Sequence, residues 1–600
     1  MAVTSRPEIV GTFGVVATTH WLASAAAMAM LERGGNAFDA AVAAGTVLNV
    51  VEPDQNGPGG DVPLILWSEA KRKVEVICGQ GPAPAGATPE RYRELGLDVI
   101  PGSGHLPAVV PGSFGAWMLL LAEYGTLPLR EVLAPVIGIA RDGFLVKPAV
   151  ADLLASLTGF FKTHWPSSAA VFLPGGDAPE TGTLLAVPAQ AATYERLVRE
   201  AEAAGGGREH QIEAARRAWY EGFVAEAVDR LFRDAVMDTS GEPHIGFLTG
   251  QDLAGWRATI EDPIRYDYGD YTVCKAGPWA QSPVLLQQLA LLKGTDVAGM
   301  DPEGADFVHT VQECAKLALA DREAFYGDPK FVDVPLDRLL SDDYNAPRRR
   351  LVADRASLEV RPGTIPGHGG RIALRAEGST NYAHPETADV VAPGTRMRNP
   401  WVAHKAPGDT CHFDIIDRWG NMISGTPSGG WCSGSPVVPG LGFCVSTRGQ
   451  MFSLDTGHPN AIAPGKRPRT TLTPTLALKQ GEPYLVFGTP GGDHQDQWAL
   501  HAFLRHVHHG MNLQEAVDAP SFYTDHAPCS FFPREWVPGH LAIEDTFPRA
   551  TLAELDRRGH RLDVAGRWGH YNSMTMASRA GRVLKAAASP RRMQCYAIGR

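Results

Sequence analysis

The chain reads as a mixed α/β (α+β) protein, and three observations lead there. Apolar residues recur with helical spacing through much of the N-terminal half. Between 340 and 409 the texture turns polar and rich in Pro and Gly. From 410 onward short β-prone runs take over, and helical spacing then returns.

In chain order, the Ala-rich residues 20–50 carry apolar spacing suited to a helix. Val62–Trp67 and Val74–Ile77 predict two strands around the turn Ala70-Lys71-Arg72. Helices are expected over 113–123 and 129–141, over 195–235 with a break at Gly205-Gly206-Gly207, and over 283–293 and 305–326. Residues 340–409 predict a mobile surface arm, with Arg348-Arg349-Arg350 as a solvated loop rather than an anion site. Phe413–Ile416 and Met422–Ser424 flank Gly420-Asn421 as a hairpin would. Phe443–Val445, Thr475–Leu478 and Leu485–Phe487 predict further strands, and 496–509 and Leu513–Val517 further helices. No internal repeat is evident.

Composition narrows the function. Length alone allows up to four domains. Apolar residues make up 44% and charged ones 20%, with mean hydropathy −0.13, as in a globular chain with ample core. A net charge of −11 without a basic run argues against nucleic acid. The start lacks a basic region followed by an apolar one, and no apolar run is long enough for a bilayer. The eight cysteines are scattered without CxxC pairs and read as reduced thiols, which places the chain in the cytoplasm.

The chemistry centres on Gly408-Asp409-Thr410-Cys411-His412-Phe413. Thr410 stands behind the polar arm and at the mouth of a strand-like run. It is either a buried strand residue or a nucleophile exposed by cleavage after Asp409. Cleavage would give one residue a hydroxyl and a free α-amine, whose unperturbed pKa of about 7.7–8.0 suits a general base near neutral pH.

Thr410-Cys411-His412-Phe413, followed by Arg418-Trp419-Gly420-Asn421, resembles the processing site of the γ-glutamyltranspeptidase family of N-terminal-nucleophile hydrolases. Further blocks follow the family's order. They are Gly34–Ala43, Asn56–Gly60, Val110–Ser113, Ala140–Phe144 and Trp219–Gly222, then Pro464–Pro468, Thr473–Thr475 and Gly488–Gly492. The resemblance spans nearly the whole chain and implies a four-layer αββα sandwich. It implies a proenzyme cut between Asp409 and Thr410 into a large subunit, 1–409, and a small one, 410–600. These would form one globular unit, a heterodimer and in turn a possible dimer of heterodimers, with no cofactor.

The same resemblance assigns site roles. Thr410 is the expected nucleophile, and Gly491 and Gly492 the oxyanion-hole glycines, although alone they would read as a strand-to-helix turn. Ser428 takes the place of the hydroxyl that orients the nucleophile. Thr470 and Thr471 take those of paired serines that bind substrate carboxylate.

Departures from the family pattern bear on the substrate. The arginine that holds a glutamyl α-carboxylate falls on Gln80, and the groups that hold its α-amine fall on Gly430, Arg448 and Met451. An ammonium facing Arg448 would be repelled, whereas a guanidinium fork suits a carboxylate. An Arg in a surface hairpin is the other reading. The short run from Phe452 to Thr471 lacks the family's lid, which favours water as acceptor. Asp493–Gln497 lines the pocket or caps a helix. His501, His506, His508 and His509 read as an exposed helix face and not a metal site.

The expectation is therefore an amidohydrolase acting on a small-molecule amide with a carboxylate-bearing acyl group. It would be of oxamate or acylase type, acting without metal, nucleic acid or membrane. Authentic γ-glutamyl hydrolysis or transfer, glutathione included, is the enzymatic alternative. An uncut pseudoenzyme serving as a binding scaffold is the other.

Overall fold

The structure, a computed structural model, describes residues 4–369, 372 and 410–600. Two seven-stranded antiparallel sheets form its centre. The first runs in the order Tyr596–Gly599, Gly14–Thr18, Phe413–Asp417, Met422–Gly425, Val62–Ser68, Lys73–Gly79 and Thr259–Glu261. The second runs Ile9–Gly11, Val583–Ala588, Thr575–Ala580, Glu482–Gly488, Thr475–Lys479, Tyr271–Lys275 and Ile264–Tyr268.

Strand periodicity explains the layers. In Val62–Ser68, Ile65 and Trp67 face the second sheet, while Leu64 and Leu66 enter a helical core on the other side. In Glu482–Gly488, Val486 faces the first sheet and Leu485 and Phe487 face a second helical core. Both sheets are thus apolar on both faces and need helices outside them. Trp21–Glu32, Ala37–Val51 and Ser113–Tyr124 cover the first. Pro283–Leu292, Ala305–Phe325 and Gln495–Val507 cover the second. The result is the expected αββα sandwich.

Local signals set the helix ends. Asn36 caps Ala37–Val51 in a capping box with Asp39. The expected helix over 195–235 is three, Pro188–Ala203, Arg208–Tyr220 and Phe223–Leu231, with Gly205 and Gly206 at positive φ in the first break.

Three expectations change. Phe443–Val445 is not a strand: Val445 makes a single bridge with Gly59, because this stretch lies against the glycine loop. The start of the expected arm is folded, with Asp342–Arg349 a helix. Arg348 is buried there against Asp321 at 3.0 Å, and Arg349 donates to the carbonyls of Ala290 and Leu291, so these two arginines are structural. The remainder, 370–409 apart from 372, lies outside the described residues, as does Asp409. The histidine cluster is not an exposed face. His501 is buried and stacked 3.9 Å from Phe522, and His506 and His508 bond Tyr484 and Tyr268.

No helix among the described residues is long and apolar enough to cross a membrane. All eight cysteines are free.

Candidate active site

Thr410 lies just before Phe413–Asp417, the third strand of the first sheet, and is buried. It forms a bridge with Ser428, and Ser428 forms one with Asp61. Two stretches 18 residues apart and a third from far earlier in the chain therefore meet through backbone pairing. The amide of Cys411 donates to the Pro427 carbonyl at 2.8 Å, and those of Asp61 and Ser428 exchange bonds at 2.8 and 2.9 Å.

Both the backbone nitrogen and the hydroxyl of Thr410 are held. Its backbone nitrogen donates to Gln55 Oε1, and its hydroxyl to Ser428 Oγ, each at 3.3 Å. Arg592 also donates to Gln55 Oε1, at 3.1 Å. Ser428 Oγ accepts a second bond from Arg448 Nη2, and Arg448 Nε pairs with Asp61 Oδ2 at 2.9 Å.

Arg448 is therefore no surface residue. It is fully buried, with its guanidinium 4.9 Å from the Trp431 ring and 5.7 Å from Phe531. Asp61 neutralises its charge, and Nη1 has no partner among the described residues. Met451 packs with Trp431 and Phe531, so at that position the wall is apolar. Gly430 has no side chain to offer.

A polar network lies behind Thr410. Lys147 pairs with Glu52 at 2.6 Å and Asp54 at 3.3 Å, and Cys411 Sγ lies 2.9 Å from Glu52. Burial pushes the Glu52 carboxyl up, but Lys147 and His20 outweigh it and hold the pKa below the usual range.

The strand that leads into the glycine turn is tied, across the two sheets, to the strand that follows Thr410. Gly488 pairs with Thr575, whose hydroxyl donates to Asp414 at 2.6 Å. Gly491 has φ +122, and a Cβ there would lie 2.3 Å from the Trp498 ring. Only glycine suits this position. Gly492 begins a short 3₁₀ turn into the helix Gln495–Val507. Gln495 accepts from the Thr473 amide at 3.1 Å, which joins the turn to the Thr470-Thr471 segment.

Thr470 and Thr471 are buried, and neither hydroxyl has a partner among the described residues. Gln80 is buried too: it donates to the Gly81 carbonyl at 3.0 Å, and no described residue partners its Oε1. The backbone bond from Ala83 to Lys466, 2.8 Å, brings the two segments together.

Asp493 acts neither as a simple cap nor as a free wall. It is locked to Arg322 and to the Ser530 amide at 2.9 Å, while His494 faces Asp525 at 2.6 Å. Gln55, Asp61 and Arg592 are site neighbours that sequence reading passed over. The first two flank the Asn56–Gly60 block it did single out, so that block was the available signal. Arg592, near the far end of the chain, left none.

Among the described residues, His309, Glu313 and His560 have the spacing of a metal group. Glu313 is already engaged by Lys316 at 2.6 Å and Arg361 at 3.3 Å, and these cations oppose a metal ion there.

A buried hydroxyl held by a second hydroxyl is an arrangement fit for acyl transfer. Comparison with known proteins agrees. The pattern of the family described as Gamma-glutamyltranspeptidase matches residues 23–598. A glutathione hydrolase proenzyme of Bacillus subtilis (strain 168) is 30% identical over 563 residues, 93% of this chain and 86% of that protein. A solved structure described as LmbA2991HD is 50% identical with TM-score 0.92, and each chain is covered fully. The cephalosporin acylase from Bacillus halodurans is 28% identical with TM-score 0.80, covering 100% of this chain and 98% of its own. The chain belongs to the γ-glutamyltranspeptidase family, and it is an enzyme of the N-terminal-nucleophile amidohydrolase type.

Proposed function

We propose that the protein is a self-processing N-terminal-threonine amidohydrolase that hydrolyses an amide whose acyl group carries a carboxylate. The observation that carries the reading is the double hold on Thr410, by Gln55 at the backbone nitrogen and by Ser428 at the hydroxyl. Cleavage after Asp409 turns that nitrogen into an amine next to its own hydroxyl.

The amine then takes the hydroxyl proton as Thr410 Oγ1 attacks the substrate carbonyl. The amides of Gly491 and Gly492 stabilise the oxyanion, and the leaving amine departs with the proton. An ester to Thr410 remains, and water activated by the same amine hydrolyses it. The amine acts as base only while neutral, so turnover rises with pH through its own titration.

The substrate side rests on buried polar groups whose hydrogen-bonding capacity the described residues leave unused. Thr470 and Thr471 hydroxyls, Gln80 and Arg448 Nη1 offer hydrogen bonds to an acid group. Gly430 and Met451 supply no carboxylate for an α-ammonium. Eight unpaired thiols favour a reducing compartment, the cytoplasm. After cleavage, residues 1–409 and 410–600 stay together as a heterodimer, because the first sheet takes strands from both.

Intact mass and N-terminal sequencing test the processing. The expected result is a fragment starting at Thr410, absent in Thr410→Ala. Glutaryl-p-nitroanilide against γ-glutamyl-p-nitroanilide tests the substrate, since the two differ only by the α-amine. Equal turnover of both would remove the no-amine reading in favour of γ-glutamyl chemistry. A chain that stays whole would leave a binding scaffold.

A further inference from the structure

Beside the Gly491-Gly492 turn lies a buried cluster of charge that the proposed reaction does not use. Glu323 pairs with Arg322 at 2.9 Å, with Arg469, and with Arg534 at 3.8 Å, while Asp493 pairs with Arg322. His458 points Nε2 at Glu323 from 3.7 Å. Its Nδ1 accepts from the Asn460 amide at 3.0 Å, and burial holds it below the usual imidazole range, so it is neutral.

Among the described residues, three guanidiniums thus meet two carboxylates, an excess of one positive charge. Arg322 is 0% and Arg469 1% exposed. A buried charge without its opposite is costly, and a cluster so built is completed by an anion. Hydrogen bonding leads the same way. A guanidinium donates and cannot accept, yet among the described residues Nε of Arg322 and Nε of Arg469 have no acceptor. Thr470 and Thr471, next in the chain, carry buried hydroxyls that no described residue partners.

The cluster adjoins the candidate site through direct contacts. Gln281 accepts from Arg322 Nη1 at 2.8 Å and donates to the Gly492 carbonyl at 3.2 Å. Arg534 donates at 2.7 Å to the carbonyl of Met451, whose side chain packs with Trp431 and Phe531 below Arg448. Arg448 itself is matched one for one by Asp61 and brings no excess charge.

We infer that Arg469, backed by Arg322 and Arg534, supplies the charge that neutralises a carboxylate on the acyl part of the substrate, while Arg448 contributes hydrogen bonds alone. The inference rests on the amidohydrolase reading and names, within it, the group that selects an acid. A neutral acyl group of the same length would leave the excess cation uncompensated, so the selectivity belongs to binding.

Calorimetric titration tests this without turnover. The probes are linear dicarboxylates of two to six carbons and the matching diamides, titrated into the wild-type protein and into R469Q, R469K and R534Q. Wild type is expected to bind at least one diacid about 10- to 100-fold more tightly than its diamide, the size of a charged hydrogen bond. R469Q should lose that preference, R469K should keep part of it, and R534Q, which removes the excess charge from a partly exposed position, should weaken it. Equal binding of diacid and diamide by wild type overturns the inference. So does an undiminished preference in R469Q or, if R469Q does not fold, in R534Q. The two readings fail separately: an acid preference in a chain never cut at Thr410 removes the nucleophile and leaves the anion site standing. A cut, active chain with no acid preference does the reverse.

Discussion

Arg448 Nε and Asp61 Oδ2 lie 2.9 Å apart with neither side chain exposed, and this pair governs Ser428. The other end of the guanidinium donates to Ser428 Oγ, which also accepts the Thr410 hydroxyl. Burial pushes the Asp61 carboxyl up, against the pull of Arg448. The arginine is thereby a positioning group for the hydroxyl pair.

Removing one half of the pair strands the other. Asp61→Asn should lower unfolding stability by about 3–5 kcal/mol, since a buried guanidinium is left without its counter-charge. Asp61→Asn combined with Arg448→Met should recover much of that loss. Urea unfolding of the three proteins checks it, and a single variant as stable as wild type would show that the pair is not structural.

Thr410→Ser should still process and turn over, whereas Thr410→Ala should do neither. Ser428→Ala should cut and catalyse more slowly, with kcat down about tenfold, the worth of one hydrogen bond to the nucleophile. Single-turnover kinetics on the cut protein separates that loss from slow processing.

Gly491→Ala asks an L residue to hold φ +122 with its Cβ 2.3 Å from Trp498. The turn must move, and its amides with it. The expected loss is on the order of 100-fold in kcat, with KM changed far less. A melting curve run alongside shows whether the fold survives; a fully active Gly491→Ala would remove this turn from the oxyanion site.

Acid should unfold the protein through Glu323 and Asp493. Burial pushes both carboxyls up, but Arg322, with Arg469 at Glu323, outweighs it, so both pKa values lie below their unfolded values. Groups lowered in this way contribute stability that is complete above the unfolded range of about 4–4.5 and is lost as pH falls through the folded values. Denaturation followed from pH 7 to 3 should therefore steepen below about pH 4.5. Glu323→Gln should be less stable at neutral pH, with a shallower fall in acid.

Local pattern made much of the fold legible. The apolar run Val62–Trp67 and the helical spacing of 283–293 and 305–326 appear as elements close to their expected ends. Phe443–Val445 misled, because an apolar run pressed against a glycine loop looks the same as a strand. His501 misled as well: helical spacing gives its direction on the helix, but not that Phe522 covers it. Arg348 and Arg349 read as solvated in the sequence because their carboxylate and carbonyl partners lie far away in the chain.

By itself the sequence determined the family, the layered architecture and the residue types expected to carry the chemistry, since motifs and periodicity are local properties. The tertiary structure alone decided how charge is shared. It matched Arg448 with Asp61, 387 residues away, and left the cluster around Arg469 one carboxylate short among the described residues. Electrostatic compensation depends on distance and burial, and no spacing along the chain encodes either.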